Sequence, residues 1–199
     1  MNSETYVLFY SKDEGSYAFF RKNDTTQLKT LPLDAVEIWS VQARTFEIAQ
    51  LRQHEYLSWE PYKPVITRDA DLIDFLPKDK FDIENAALLR NLGYPTIRPI
   101  MRQLLEWLQD MNWPVAQFIA PWILTIGVEL YPYFEEIFQS NDSLWKNWVL
   151  TALIDEMPIE MAQRFSPLLQ QLSQSQNEFD ITEGVPEIAK AILTKIRSS

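Results

Sequence analysis

Apolar and polar positions follow two rhythms along the chain, and the change falls near residue 69. Before it, apolar residues come in short aromatic runs, Tyr6-Val-Leu-Phe-Tyr10 and Tyr17-Ala-Phe-Phe20. Six mostly polar residues separate them, and Gly15 is available for a positive φ. The pattern predicts a β-hairpin with a bulged or longer loop. Residues 23–26 read as a polar turn and residues 35–41 as a third strand. Residues 44–53 read as a short helix with Phe46, Ile48, Ala49 and Leu51 as its apolar members. Tyr56 to Trp59 closes the region, and Pro61 and Pro64 mark a connection. Residues 1–68 therefore form a small α+β unit, marginal on its own at that size.

From residue 69 the period becomes helical. Residues 82–92 carry Asp82 as a capping acid and Gly93 as a stop. Residues 99–109 place Ile100, Leu104 and Trp107 on one stripe, with Arg102, Gln103 and Glu106 on the other face. Further helices are predicted over 114–126, opening on a proline, and over 130–139, burying Leu130, Phe134 and Ile137. Residues 143–156 align Trp145, Trp148 or Val149, and Ala152. The last two helices are predicted over 159–173 and 186–196.

Internal repetition sets the architecture. Pro99, Pro132 and Pro167 are 33 and 35 residues apart, and each heads proline, two apolar, two polar and one apolar residue. The helices before them start near 82, 114 and 143. A two-helix unit recurring at this interval predicts a helical-hairpin solenoid, because one hairpin cannot bury its own stripe and stacked ones can. The expected fold is α+β: the hairpin-containing unit, then an all-α HEAT-like repeat domain over residues 69–199, of about three hairpins and a C-terminal helix.

Composition removes several chemistries. The 199 residues contain no cysteine and one histidine, which excludes disulfides, thiolate zinc sites, a cysteine nucleophile and any two-histidine metal site. With 4 glycines and no Gly-x-Gly or Gly-Lys-Ser/Thr pair, there is no dinucleotide or phosphate-loop fingerprint. No cofactor and no metal is expected. The N-terminus lacks a basic leader region, and the apolar stretch over 118–128 is well short of a bilayer span, so a cytoplasmic protein without a membrane partner is expected. Charge is uneven: residues 1–68 hold 8 basic and 9 acidic side chains, residues 69–199 hold 10 and 19. An acidic surface of that size disfavours nucleic acid and favours a basic protein.

Two segments, Phe75-Leu-Pro-Lys-Asp-Lys-Phe-Asp82 and Leu105-Glu-Trp-Leu-Gln-Asp-Met-Asn-Trp-Pro-Val-Ala116, resemble an uncharacterised family of bacterial domains of unknown function. The segments around Trp145 to Trp148 and Glu187 to Lys190 resemble it too, so the likeness covers about residues 70–196; residues 1–68 lie outside it. The resemblance implies a HEAT-like layout and no activity. Members sometimes stand beside bacterial toxin systems, which implies an immunity-type role.

The candidate site residues are surface groups. Trp113 and Asp110 sit at a helix junction. Asn112 is expected to cap the helix begun by Pro114, and Trp113 to staple the corner; tryptophan is also a preferred interface anchor. The polar positions Glu106, Glu135, Glu136, Gln139, Gln170 and Gln171, with Arg102 and Gln103, lie on the second helices of the hairpins, which in solenoids line the concave face. Trp107, Trp122, Trp145 and Trp148 are expected in the core, and His54 on the surface. The pairs Glu135/Glu136 and Asp155/Glu156 diverge by about 100° on a helix, so neither is a catalytic dyad. These readings predict no enzyme but a protein-binding module, with an immunity-type inhibitor of a basic toxin or enzyme as its preferred form. A general adaptor is the alternative and a carboxylate-dependent hydrolase a remote one.

Overall fold

A computed structural model of the chain describes residues 3–198. The chain is α+β, a small three-stranded antiparallel sheet followed by a helical region, and it separates into two compact units, residues 1–65 and 66–199.

In the first unit, β1 (Glu4–Ser11) is the central strand, with β2 (Ser16–Arg21) on one side and β3 (Val36–Ala43) on the other. Gly15, at φ 63°, supplies the turn between β1 and β2. Both partners are antiparallel, and a bulge interrupts the β1–β3 register between Leu8 and Phe9. The expected polar turn is instead the start of α1 (Thr25–Thr30). Asp24 accepts from the backbone N–H groups of Thr26 and Gln27 at 3.0 and 3.1 Å, so a residue read as a turn former serves as an N-cap. The next helix, α2 (Phe46–Tyr56), starts two residues later than expected because Thr45 caps it, and ends three residues later. Its terminal aromatics meet the sheet: Phe46 contacts Tyr6 and Phe19, and Tyr56 stacks on Trp39 at 4.9 Å. His54 is half-buried where a surface position was expected. Its Nδ1 lies 2.7 Å from the Glu60 carbonyl, and its ring contacts Trp59 and Tyr62, holding the connecting segment.

The second unit is helical throughout its described regular elements. After a 3₁₀ turn over Asp69–Phe75 come α3 (Ile83–Leu92), α4 (Met101–Leu105), α5 (Pro114–Ile123), α6 (Tyr131–Gln139), α7 (Ser143–Val149), α8 (Ile159–Ala162), α9 (Ser166–Leu172), α10 (Glu178–Thr182) and α11 (Val185–Arg197). Several predicted helices are broken. The one expected over 99–109 is a 3₁₀ turn, α4 and a second 3₁₀ turn over Glu106–Gln109. The one over 143–156 widens into a π turn over Leu150–Ile154, which buries Leu150, Leu153 and Ile154 and leaves Ala152 only half-buried, because a wide turn rotates the stripe. The one over 159–173 divides at a 3₁₀ turn over Gln163–Phe165, after which α9 begins at Ser166 with Pro167 in its first turn.

The expected stripe of α6 holds, with Leu130, Phe134 and Ile137 buried. Trp145 is buried, Trp107 and Trp122 are half-buried against the core, and Trp148 is half-buried. Tyr131 and Phe134 pack on Phe165 at 5.8 and 5.4 Å between ring centres.

The run Pro114–Gln139 is long and apolar enough in composition to cross a membrane. Its backbone is not one rod, because Gly127 has φ 70° and ψ −134° and breaks the helical path. A Cβ at Gly127 would stand 3.1 Å from the Met161 Cε and 3.2 Å from its Sδ. Met161 can move; the backbone strain stays. Gly127→Ala is expected to lower unfolding free energy by about 1–3 kcal/mol, measured by urea denaturation.

Candidate functional site: the Trp107–Trp113 cleft

The site starts with two loops made rigid by their own polar side chains. Asp82 is buried and caps α3: its carboxylate accepts from the backbone N–H of Lys78 at 2.9 Å and from the Asn85 side-chain amide at 3.0 Å. Asp79 accepts from the Phe81 N–H at 2.8 Å, so the segment from Leu76 to Asp82 is folded back on itself. Asp110 does the same for the second loop, accepting from both the backbone and the side-chain amide of Asn112 at 2.9 Å. The expected capping by Asn112 is therefore corrected. Asn112 donates to Asp110, and the cap position of α5 belongs to Trp113, which makes no side-chain cap bond. Pro114 has no N–H to offer, so the acid closes the turn instead.

The loops meet. The Val115 N–H donates to the Lys80 carbonyl at 3.0 Å, and Trp113 packs edge-on against Trp107 with ring centres 5.6 Å apart. Between them lies an open cleft lined by Leu76, Pro77, Gln103, Glu106, Trp107, Gln109 and Trp113. Glu106 is exposed at its rim, while Trp113 and Asp110 are half-buried. The two longer segments that carry the family resemblance thus line one surface feature.

The other expected surface residues do not gather here. Glu136 is paired with Arg102 at 2.9 Å beside a small cavity of about 50 Å³ lined by Leu105, Tyr133, Ile137, Ser140 and Trp145. Glu135 and Gln139 are exposed on α6, and Gln170 and Gln171 on α9. Of the second carboxylate pair, Asp155 binds Lys195 at 2.9 Å. Among the described residues no three His, Asp or Glu side chains come together as a set able to hold a metal ion.

Residues 75–193 match the family described as a domain of unknown function, DUF5071. The chain belongs to that family. No curated protein matches the sequence. The matched segment contains the whole cleft, with both of its loops and both tryptophans.

One polar cluster escaped the sequence reading. Lys146 on α7 and Asp180 on α10 are 34 residues apart and buried together, with Nζ 3.0 and 3.2 Å from the two carboxylate oxygens. Asp180 also accepts from Ser143 at 2.5 Å and Ser175 at 2.7 Å, and Asn147 donates to the Glu183 carbonyl at 2.6 Å. Burial pushes the Asp180 carboxyl up; the hydrogen bonds from Ser143, Ser175 and Lys146 outweigh it and leave it below the ordinary carboxylate range. Solvent is excluded and the hydrogen bonds converge on the pair, so the cluster pins α10 to α7.

Proposed function

We propose that the helical unit is a non-catalytic protein-binding module of a cytoplasmic protein, an immunity-type inhibitor whose partner is a basic toxin or enzyme. The observation that carries this reading is the convergence of both characteristic loops on the Trp107–Trp113 cleft. Loops this heavily hydrogen-bonded hold two aromatic side chains half-exposed with Glu106 beside them. That combination of a rigid aromatic anchor and a charged rim is what protein interfaces use. The net −9 of residues 69–199 supplies the long-range attraction for a basic surface.

In the same proposal the helices stack as HEAT-like hairpins. The packing order supports it: α3 lies on α5, α5 on the Leu150–Ile154 turn, α6 on α9, and α9 on α11. Glu135, Glu136, Gln139, Gln170 and Gln171 then extend the contact surface along the second helices.

The test is capture from the native cells with the full chain as bait, at about 50 mM and about 300 mM salt. A discrete basic partner is expected, retained less at the higher salt. Trp113→Ala is expected to weaken its binding by about 30-fold or more, the loss of one anchor worth about 2 kcal/mol. Glu106→Lys, at an exposed rim position, is expected to slow association and leave the fold intact. Equal recovery of the partner by both variants would overturn the reading.

A further inference from the structure

The two edges of the first unit's sheet differ. Tyr6 faces Arg21 in the β1–β2 register, so Lys22 stands opposite Thr5, and its N–H donates to the Thr5 carbonyl at 2.8 Å. Antiparallel ladders alternate, so Phe20, Ala18 and Ser16 turn their backbone groups toward β1, and Tyr17, Phe19 and Arg21 turn theirs outward. The same alternation makes Ile38 and Gln42 outward-facing on β3. There the edge is closed by α2: the Gln42 carbonyl accepts from Arg52 at 3.0 Å, and the Ile38 carbonyl from the Tyr56 hydroxyl at 3.4 Å. On β2, the Arg21 carbonyl accepts from the Asp24 N–H at 2.9 Å, and among the described residues nothing bonds to the outward groups of Tyr17 or Phe19. Ser16, Tyr17 and Arg21 are exposed, and the strand carries no proline, bulge or central charge. Folded proteins normally blunt such an edge, and one that is left open is a template for another strand.

We propose that the β2 edge is a self-pairing surface, at which two copies of this chain join β2 to β2 antiparallel about Ala18. Charge chooses this occupant and this direction. The strand is preceded by Asp13 and Glu14, ends on Arg21 and is followed by Lys22. Antiparallel self-pairing sets the acidic end of each copy against the basic end of the other, while parallel pairing would set like against like. Register follows from the alternation, because outward-facing residues must meet outward-facing residues. Pairing Tyr17 with Phe19 of the second copy satisfies this, brings Glu14 opposite Lys22, and places Ala18 on the two-fold axis. Ala18 then forms a pair of the closely spaced kind, about 4.5 Å between Cα atoms, where a small side chain fits. The turn is held ready: Asp34 accepts from the Ser11 hydroxyl at 2.7 Å and the Asp13 N–H at 2.9 Å, and the Glu14 N–H donates to Ser11 at 3.1 Å. The present ion pairs, Arg21 with Glu4 and Lys22 with Glu37, are exposed and rearrange at little cost.

Sedimentation of the full chain tests this. A monomer–dimer equilibrium is expected, with a dissociation constant on the order of 10 µM, and it is expected to weaken as salt rises. Tyr17→Pro removes one outward N–H and leaves the β1 ladder bonded; it is expected to be monomeric at every concentration with unchanged circular dichroism. Should that variant fail to fold, the charge swap decides. Glu14→Lys and Lys22→Glu are each expected to weaken the dimer roughly tenfold, since each contact occurs twice by symmetry, and the double variant is expected to restore it. A wild-type chain that stays monomeric overturns the proposal, as does a dimer unaffected by Tyr17→Pro or a double variant that does not recover.

Discussion

Lys146→Met is expected to lower the unfolding free energy by about 3–5 kcal/mol, the cost of leaving one buried charge without its partner. Asp180 is 3% exposed and Lys146 4%, so neither recovers solvation when the other is lost. Asp180 would keep Ser143 and Ser175 but lose its counter-charge. Replacing both, as in Lys146→Met with Asp180→Leu, is expected to recover much of the loss, because two apolar side chains incur no desolvation cost there. The cluster also carries a pH signature. The Asp180 carboxyl lies below its ordinary value, so the folded state binds its proton less readily than the unfolded chain does. Its contribution is therefore fully present above the ordinary value near 3.9 and is lost as pH falls through the lower folded value. The difference in urea midpoint between wild type and Asp180→Asn is expected to shrink only below about pH 4. A constant difference down to pH 2 would show that the carboxylate charge does not stabilise the fold.

Phe165→Ala is expected to cost about 3–5 kcal/mol, through lost burial and the cavity left behind. Phe165 is fully buried and lies between the rings of Tyr131 and Phe134. It stands just before α9 and faces α6, so it joins elements more than 30 residues apart in sequence. Relaxation into the space is limited, because Leu130, Phe134 and Leu169 are themselves fully buried. Phe165→Leu, which keeps most of the volume, is expected to cost roughly 1–2 kcal/mol. An alanine variant as stable as the leucine variant would contradict this packing.

The apolar pattern marks elements well where one face decides burial. The strands of the first unit, the Asp82 cap, the Gly93 stop and the stripe of α6 could all be read from local residues. Register-breaking features could not. The π turn after Val149, the 3₁₀ turns around α4 and the left-handed-side break at Gly127 follow from how helices meet, and each shifts an apolar stripe by a residue or two. Short capped helices were missed at Asp24 and Asn177 for a different reason. Both residues form turns and cap helices with the same side-chain bond, and a five- or six-residue helix is too short to reveal its period. For the candidate site, the sequence pointed to Asp110 and Trp113 but assigned the cap to Asn112. The partnership of Trp113 with Leu76 and Pro77 came from folding, since about 30 residues separate the two loops. The buried Lys146–Asp180 pair was invisible because its halves belong to different helices.

Photo-cross-linking in the native cells addresses the binding surface most directly. A photoreactive amino acid replaces Gln103 at the tryptophan cleft, and in a separate variant replaces Glu187, exposed on α11. A single protein adduct of defined mass is expected from position 103, absent from position 187 and lost when Trp113→Ala is added. No adduct at position 103, or the same adduct from both positions, would contradict a partner held at the cleft.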